Sequence, residues 1–216
     1  MAGKIIKFAS LLFDYKALRA LGSMRFSGFL SRSGWWTAHA LQLPVGPDES
    51  PLPWMTYPFI RFMEDRLSKK FALFEFGCGN STLFFASRVG SVTAVEHDRG
   101  WYERFRPIVP QNVNLTYKEL VSDGEYSRVA LRSSRVYAVI VVDGRDRVHC
   151  IKHSLKALKE DGVFVLDDAE RKEYAEAVHV LKGKDFRRID FWGISPGMMD
   201  EKCTTIFYRK KNCLRI

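Results

Sequence analysis

From residue 59 onward, short apolar runs alternate with segments of helical period. Helices are expected over 59–69, 81–88, 99–105, 148–159 and 171–181, and strands over 72–76, 92–95, 113–117, 136–142 and 163–166. Two further strand-like runs, 186–192 and 204–208, close the chain on either side of a loop that bears Gly and Pro. The run VYAVIVV at 136–142 is the clearest buried strand. Such alternation of strand and helix points to a mostly parallel α/β sheet with right-handed crossovers.

The region before residue 59 is of a different kind. Ile5, Phe8, Leu11, Leu12, Tyr15 and Leu18 recur at helical spacing with lysines between them, and Phe26, Phe29, Trp35 and Trp36 come next. The stretch LPVGPDESPLPWMTYP (43–58) then holds five of the eight prolines, which excludes a regular helix or a central strand there. A boundary near residue 50 is therefore expected, between a basic helical and aromatic appendage (1–50) and a catalytic domain (51–216). With 216 residues the chain is long enough for one sizeable core. No apolar run approaches the roughly 18–20 residues of a membrane span. Cys78, Cys150, Cys203 and Cys213 lack metal-type spacing and are preceded by no signal peptide, so they read as reduced thiols of a cytoplasmic protein.

The net charge is +9, and it is unevenly placed. Residues 1–36 carry Lys4, Lys7, Lys16, Arg19, Arg25 and Arg32 against Asp14 alone. That segment suits an anionic partner: an acceptor, a nucleic acid or a peripheral membrane surface. It equally suits a helix that covers the sheet and keeps its lysines in water.

The stretch FEFGCGNST (74–82) joins the first strand to its helix, where open α/β sheets bind ligands. Gly77 permits the tight turn, Gly79 lets the backbone approach a ligand, and Asn80, Ser81 and Thr82 present donors at a helix start. A dinucleotide fingerprint wants a third glycine where Thr82 stands, and there is no Gly-Lys-Ser/Thr to make a P-loop. Glu75 would oppose a pyrophosphate and favour a cation, which fits S-adenosylmethionine, with its ammonium and sulfonium and no phosphate. The next strand ends in Glu96, 17 residues after Gly79, placed to accept from both ribose hydroxyls of an adenosine.

FEFGCGNST, VEHD, VVDG and DGVFVLDD together resemble the class I S-adenosylmethionine-dependent methyltransferases. The likeness is to a bacterial branch with E-x-G-x-G-x-S-T, V-E-H-D and D-G-x-x-R, associated with small-molecule or sugar O-methylation. It spans about residues 50–210 and implies a Rossmann-like seven-stranded sheet, mostly parallel, whose last two strands form an antiparallel hairpin. It also implies a cofactor set of Glu75, Gly77, Cys78, Gly79, Asn80, Ser81, Thr82, Glu96, His97, Asp98, Asp143 and Gly144; Trp101 would either cover the adenine or be a core residue of its helix. The approach PWMTY (53–57) would close over the methionine end through Trp54, Thr56 and Tyr57.

Asp143 in VVDGRDR and Asp167–Asp168 in VLDDAER end neighbouring strands of this fold. They would either hold Mg²⁺ to orient an acceptor hydroxyl, or leave Asp143 as a metal-free base. Asp167 with Glu170 also has the spacing of a helix-capping box. Arg145 and Arg147 are candidate anchors for an anionic acceptor. A small-molecule or glycan O-methyltransferase is the leading expectation. RNA methylation is disfavoured because VVDGRDR lacks the Pro-Pro-aromatic loop of base N-methylation, although ribose methylation stays open. A non-catalytic cofactor-fold binding protein is the third alternative.

Overall fold

A computed structural model of the chain describes residues 14–216. The part of the expected opening helix before residue 14 lies outside the described residues. The segment from residue 15 to residue 41 is largely helical, in three pieces: α1 (Tyr15–Phe26), α2 (Phe29–Arg32) and α3 (Trp35–Leu41). Asp14 starts α1, its carboxylate accepting from the amides of Lys16 at 2.9 Å and Ala17 at 3.1 Å.

The rest alternates as the pattern predicts. Helix α4 (Tyr57–Glu64) leads into β1 (Ala72–Phe76), α5 (Asn80–Arg88), β2 (Ser91–Glu96), α6 (Arg99–Phe105) and β3 (Val113–Tyr117). Then come α7 (Glu125–Arg132), β4 (Tyr137–Val142), α8 (Arg147–Ser154), β5 (Leu158–Leu166), α9 (Ala175–Lys182), β6 (Arg187–Gly193) and β7 (Lys202–Tyr208). The seven strands form one sheet in the order β3-β2-β1-β4-β5-β7-β6. Strands β1 to β5 run parallel, while β7 is antiparallel to both β5 and β6, which is the closing hairpin.

Period-two alternation divides the core into two layers. Leu73, Val139, Val141, Val163, Val165 and Ile206 face one hydrophobic cluster, and Phe74, Phe76, Ile140, Val142, Phe164 and Phe207 face the other. Every residue of β4 is buried, as its unbroken apolar run requires of the strand between β1 and β5. Strand β3 is only half-buried because it lies at the sheet edge. Trp35 and Leu52 belong to the first cluster with Met55, Phe59 and Leu73, so the aromatic part of the opening segment packs on this face of the sheet.

Several elements differ from expectation, among them the helix expected over 171–181, which opens with a 3₁₀ turn and becomes α-helical only at Ala175. Helix α4 begins earlier and stops at Glu64 instead of reaching residue 69, with Pro58 in its first turn, where a missing N–H is harmless. The helix expected over 148–159 ends at Ser154, and a 3₁₀ turn leads into β5 at Leu158. The charged stretch Lys159–Asp161 conceals the first half of that strand. Helix α7 has no counterpart among the expected elements; it buries Tyr126, Ser127 and Ala130, only three of its eight residues.

Candidate functional site

The carboxyl ends of β1, β2, β4 and β5 converge at one edge of the sheet, and backbone hydrogen bonds just beyond the strands hold them together. Gly77 donates to Val95 O at 2.8 Å, Asp143 to Phe76 O at 3.2 Å, and Asp167 to Val142 O at 3.3 Å. Gly77 turns with φ +101°, the left-handed region that glycine tolerates. Gly144 packs against it from the neighbouring strand end, and a Cβ there would collide with the Tyr126 hydroxyl. Glycine at 144 thus lets the two loops close on each other. Gly79 is extended, and a Cβ there would come no nearer than 3.8 Å to Trp101, so the protein itself leaves room at that position.

Thr82, where a dinucleotide site would carry glycine, has a structural task. Its hydroxyl donates to Glu75 Oε2 at 2.6 Å and accepts from the Gly79 amide at 3.1 Å, tying strand, loop and helix together. Glu75 is buried, and burial pushes its carboxyl up to about 7, against the Ser81 and Thr82 hydroxyls and with some help from Glu96. Glu96 accepts from Cys78 N at 2.9 Å through Oε2, and from His97 N and Asp98 N at 2.8 Å through Oε1. His97 Nδ1 also lies 2.9 Å from Oε1, so Oε1 is the crowded oxygen, whereas the Cys78 amide is the hydrogen-bond donor to Oε2. Asp98 caps α6 through the Trp101 amide, and the Trp101 indole donates to Cys78 O, which sets the ring against the glycine loop. The Asn80 side chain donates to Pro44 O at 2.9 Å, fastening the proline-rich loop to this edge.

These groups line a cleft of about 630 Å³ that includes Glu75, Gly77, Cys78, Ser81, Glu96, His97, Asp98, Trp101, Asp143 and Gly144. A side pocket of about 80 Å³ continues it past Gly79 and Asn80. The glycine-loop and second-strand residues expected at the site are thus brought together, except Thr82, which is buried behind the loop and lines neither space. Thr56 and Tyr57 are not among the cleft residues. Thr56 is buried, donating to Phe191 O at 3.0 Å through its hydroxyl and to Thr204 Oγ1 at 3.2 Å through its amide. Tyr57 is packed in the core with its ring edge-on to Phe29. Of the three residues expected from the approach segment, Trp54 does line the cleft; it is partly exposed, and its indole donates to Pro196 O at 2.9 Å.

A second cleft, of about 700 Å³, adjoins the first and shares Trp54, Asp143, Asp168 and Arg171 with it. Its floor is an ionic cluster. Lys202 Nζ bridges Asp167 and Asp168, 2.6 Å from Asp168 Oδ1, and also donates to Trp54 O at 3.1 Å. Asp167 further accepts from the Thr204 hydroxyl at 2.6 Å. Arg147 is buried rather than offered to a ligand. Its guanidinium donates to Gly144 O, Asp167 O and Asp143 O, and lies 3.3 Å from both Asp143 Oδ1 and Asp168 Oδ2. One side chain thereby clamps the ends of β4 and β5. Arg145 remains exposed at the rim of the first cleft.

This arrangement answers the two alternatives left by the acidic residues. Asp167 and Glu170 form no capping box: Asp167 is held by Lys202 and Thr204, and Glu170 accepts from Cys203 N at 2.9 Å. Nor do Asp143, Asp167 and Asp168 fit a Mg²⁺ site, because Lys202 and Arg147 occupy the positions between the carboxylates that a metal would take. Among the described residues, no group of three His, Cys, Asp or Glu side chains is arranged to hold a metal ion. Burial and the neighbouring Asp167 hold Asp143 well above the usual carboxylate range, against the opposing pull of Arg147 and Lys202. Burial also raises Asp167, whereas Lys202, Arg147 and Arg171 overcome burial at Asp168 and lower it. Lys202 itself could not be recognised from sequence, since only the antiparallel pairing of β7 with β5 brings it beside Asp167.

No family model and no curated sequence matches the chain. Solved structures do. A precorrin-6y C5,15-methyltransferase from Geobacter metallireducens superposes with a TM-score of 0.54 at 14% identity, over 70% of this chain and 87% of that one. A tRNA methyltransferase from Aquifex aeolicus gives 0.52 at 15% identity, over 73% and 70%. A Streptococcus mutans protein in complex with SAH gives 0.51 at 14% identity, over 68% and 94%. With the strand order and closing hairpin described above, these likenesses show that the chain has the fold of the class I S-adenosylmethionine-dependent methyltransferases.

Proposed function

We propose that this protein is an S-adenosylmethionine-dependent methyltransferase acting on a hydroxyl of a small molecule or glycan. The observation that carries the proposal is Asp143, which lines both clefts and stands where they meet. The first cleft fits the cofactor on its own chemistry. Glu75 is a buried carboxyl raised to about 7, which a cationic ligand would return to its ionised form. Glu96 Oε2, the less crowded of its two oxygens, is the acceptor for a ribose hydroxyl, while Asp98 and the Trp101 ring flank the place for an adenine.

Bound there, S-adenosylmethionine supplies an electrophilic methyl group on a sulfonium. The residues of this chain do the rest. Trp54 and the clamped ends of β4 and β5 fix the approach of an acceptor hydroxyl, and positioning is the largest contribution available to such an in-line displacement. Asp143, with its raised pKa, is a stronger base than an ordinary carboxylate once ionised, and takes the hydroxyl proton as the oxygen attacks. Arg147 holds that carboxylate in place from behind.

The chemistry of the second cleft bears on the acceptor. Asp143, Asp167, Asp168, Glu170, Asp200 and Glu201 line it against only Arg171 and Lys202, which disfavours a phosphate backbone and supports a neutral or cationic acceptor. The basic opening segment, far richer in positive charge, is assigned to recognition outside the cleft. The four free cysteines accord with a cytoplasmic setting. The proposal is tested by incubating the protein with methyl-labelled S-adenosylmethionine and fractions of small metabolites, glycans and RNA. Label should enter an alkali-stable methyl ether in the first two. Label in RNA alone would replace the acceptor class, and consumption of no cofactor with any fraction would leave a binding protein.

A further inference from the structure

Helix α1 is twelve residues long, and none of them is buried. Tyr15 and Phe26 are 74% and 78% exposed, and Leu18, Leu21 and Met24 between them are exposed as well. Tyr15, Leu18, Leu21 and Met24 recur every third residue, so neighbours in this series lie side by side along the helix surface. A helix this short is marginal in water without an apolar surface to pack on. Among the described residues, no apolar side chain of α1 finds enough cover to be buried.

Its charge selects the occupant. Lys16, Arg19 and Arg25 are all exposed between these apolar residues, with Lys4 and Lys7 before them in sequence, and the only acidic residue of the segment, Asp14, is engaged as the helix cap. A second copy of this chain would bring like charge against like. A nucleic acid would satisfy the basic residues but leave Leu18, Leu21 and Met24 in water. An anionic bilayer takes both, with basic groups among the headgroups and apolar side chains at the acyl boundary. The patch is also joined to the second cleft. Trp36 donates to Met24 O and Trp35 to Met198 O, both at 2.9 Å, and the exposed Met198 and Met199 lie in the loop that borders that cleft.

We propose that α1 docks this protein on the surface of an anionic membrane. The docking is interfacial, since among the described residues no helix is long and apolar enough to cross a bilayer. It does not depend on the methyltransferase reading, and its test is separate from any turnover. The full chain would be sedimented with vesicles of phosphatidylcholine alone and with vesicles containing phosphatidylglycerol. Partitioning should rise at least about ten-fold with the anionic lipid and fall again in roughly 0.5 M NaCl, as expected for several basic residues at the surface. The double variant Leu18→Ser/Phe26→Ser, altered only at exposed positions, should lose about ten-fold of that binding with its thermal unfolding and SAH affinity unchanged. Equal partitioning to both vesicle types, or binding unaffected by the variant, would overturn the proposal. So would a wild-type dimer that the variant abolishes, or single-stranded RNA that competes the protein off the vesicles through α1.

Discussion

Replacing Glu75 by glutamine isolates the electrostatic design of the glycine loop. The carboxyl is buried, and its hydrogen bond from the Thr82 hydroxyl at 2.6 Å can be kept by the glutamine carbonyl. Its pKa rises from an ordinary 4.5 to about 7 in the folded protein. Because the folded value is the higher one, its contribution to stability is fully present below pH 4.5 and is lost as pH rises through about 7. At about 1.4 kcal/mol per pH unit the full loss is roughly 3 kcal/mol. At about pH 5 the protonated acid and the amide are near-isosteres, so wild type and Glu75→Gln should have similar stability. At about pH 8 the variant should be more stable by about 3 kcal/mol, measured as the difference between denaturant unfolding curves so that all other titrations cancel. The ligand reverses the ranking. Wild-type affinity for S-adenosylmethionine should rise about ten-fold between roughly pH 6 and pH 8, tracking the ionised fraction of a group near 7, whereas the variant should bind weakly with no such slope. If the stability difference is independent of pH, the carboxyl of Glu75 titrates alike in the folded and unfolded chain, and the case for a cation at this position fails.

Other perturbations test the remaining parts of the site. Asp143→Asn keeps the side-chain shape and should lower turnover roughly 10²–10⁴-fold once an acceptor is in hand, with SAH affinity changed far less; turnover at the wild-type rate would make Asp143 only a strand end. Lys202→Met leaves Asp167 and Asp168 without their shared cation, and urea unfolding at about pH 8 should show a loss of about 3–5 kcal/mol. A loss below about 1 kcal/mol would mean that the carboxylates are hydrated and the cluster is looser than described. Tyr126→Phe removes a buried hydroxyl that has no hydrogen-bond partner among the described residues, so it should be neutral or stabilising, and it should partly rescue Gly144→Ala by relieving the collision with the new Cβ. Thermal unfolding of the two single variants and the double variant checks this, and strict additivity would refute the packing argument.

Much of the fold is readable from the residues because it rests on local pattern. The bounds of β1, α6 and β3 agree with expectation, since each is an apolar run or period closed by a turn residue or a charge. The glycine turn and the acidic ends of β1 and β2 are equally legible, because both are local to one strand–loop–helix step. What escapes depends on partners distant in sequence. Strand β5 begins inside a charged stretch because Leu158 pairs with Tyr137 before the register shifts. Lys202 meets Asp167 only through the hairpin. Arg147 reads as an anchor for an anionic acceptor, yet it is buried among three carbonyls. Trp54, Thr56 and Tyr57 are expected at the ligand by likeness alone, but the pairing of residue 56 with Phe191 and Thr204 turns Thr56 and Tyr57 into the core and leaves Trp54 facing the cleft.

In the proposed function, the cleft between the ends of β1 and β2 binds the adenosine of S-adenosylmethionine against Glu96. Calorimetric titration of SAH into the wild type and into Glu96→Ala at about pH 8 tests this most directly. The account predicts a single site in the wild type and a loss of about 1.5–3 kcal/mol in the variant, the range for a hydrogen bond to a charged group. No binding by the folded wild type, or equal affinity in the two proteins, would contradict it.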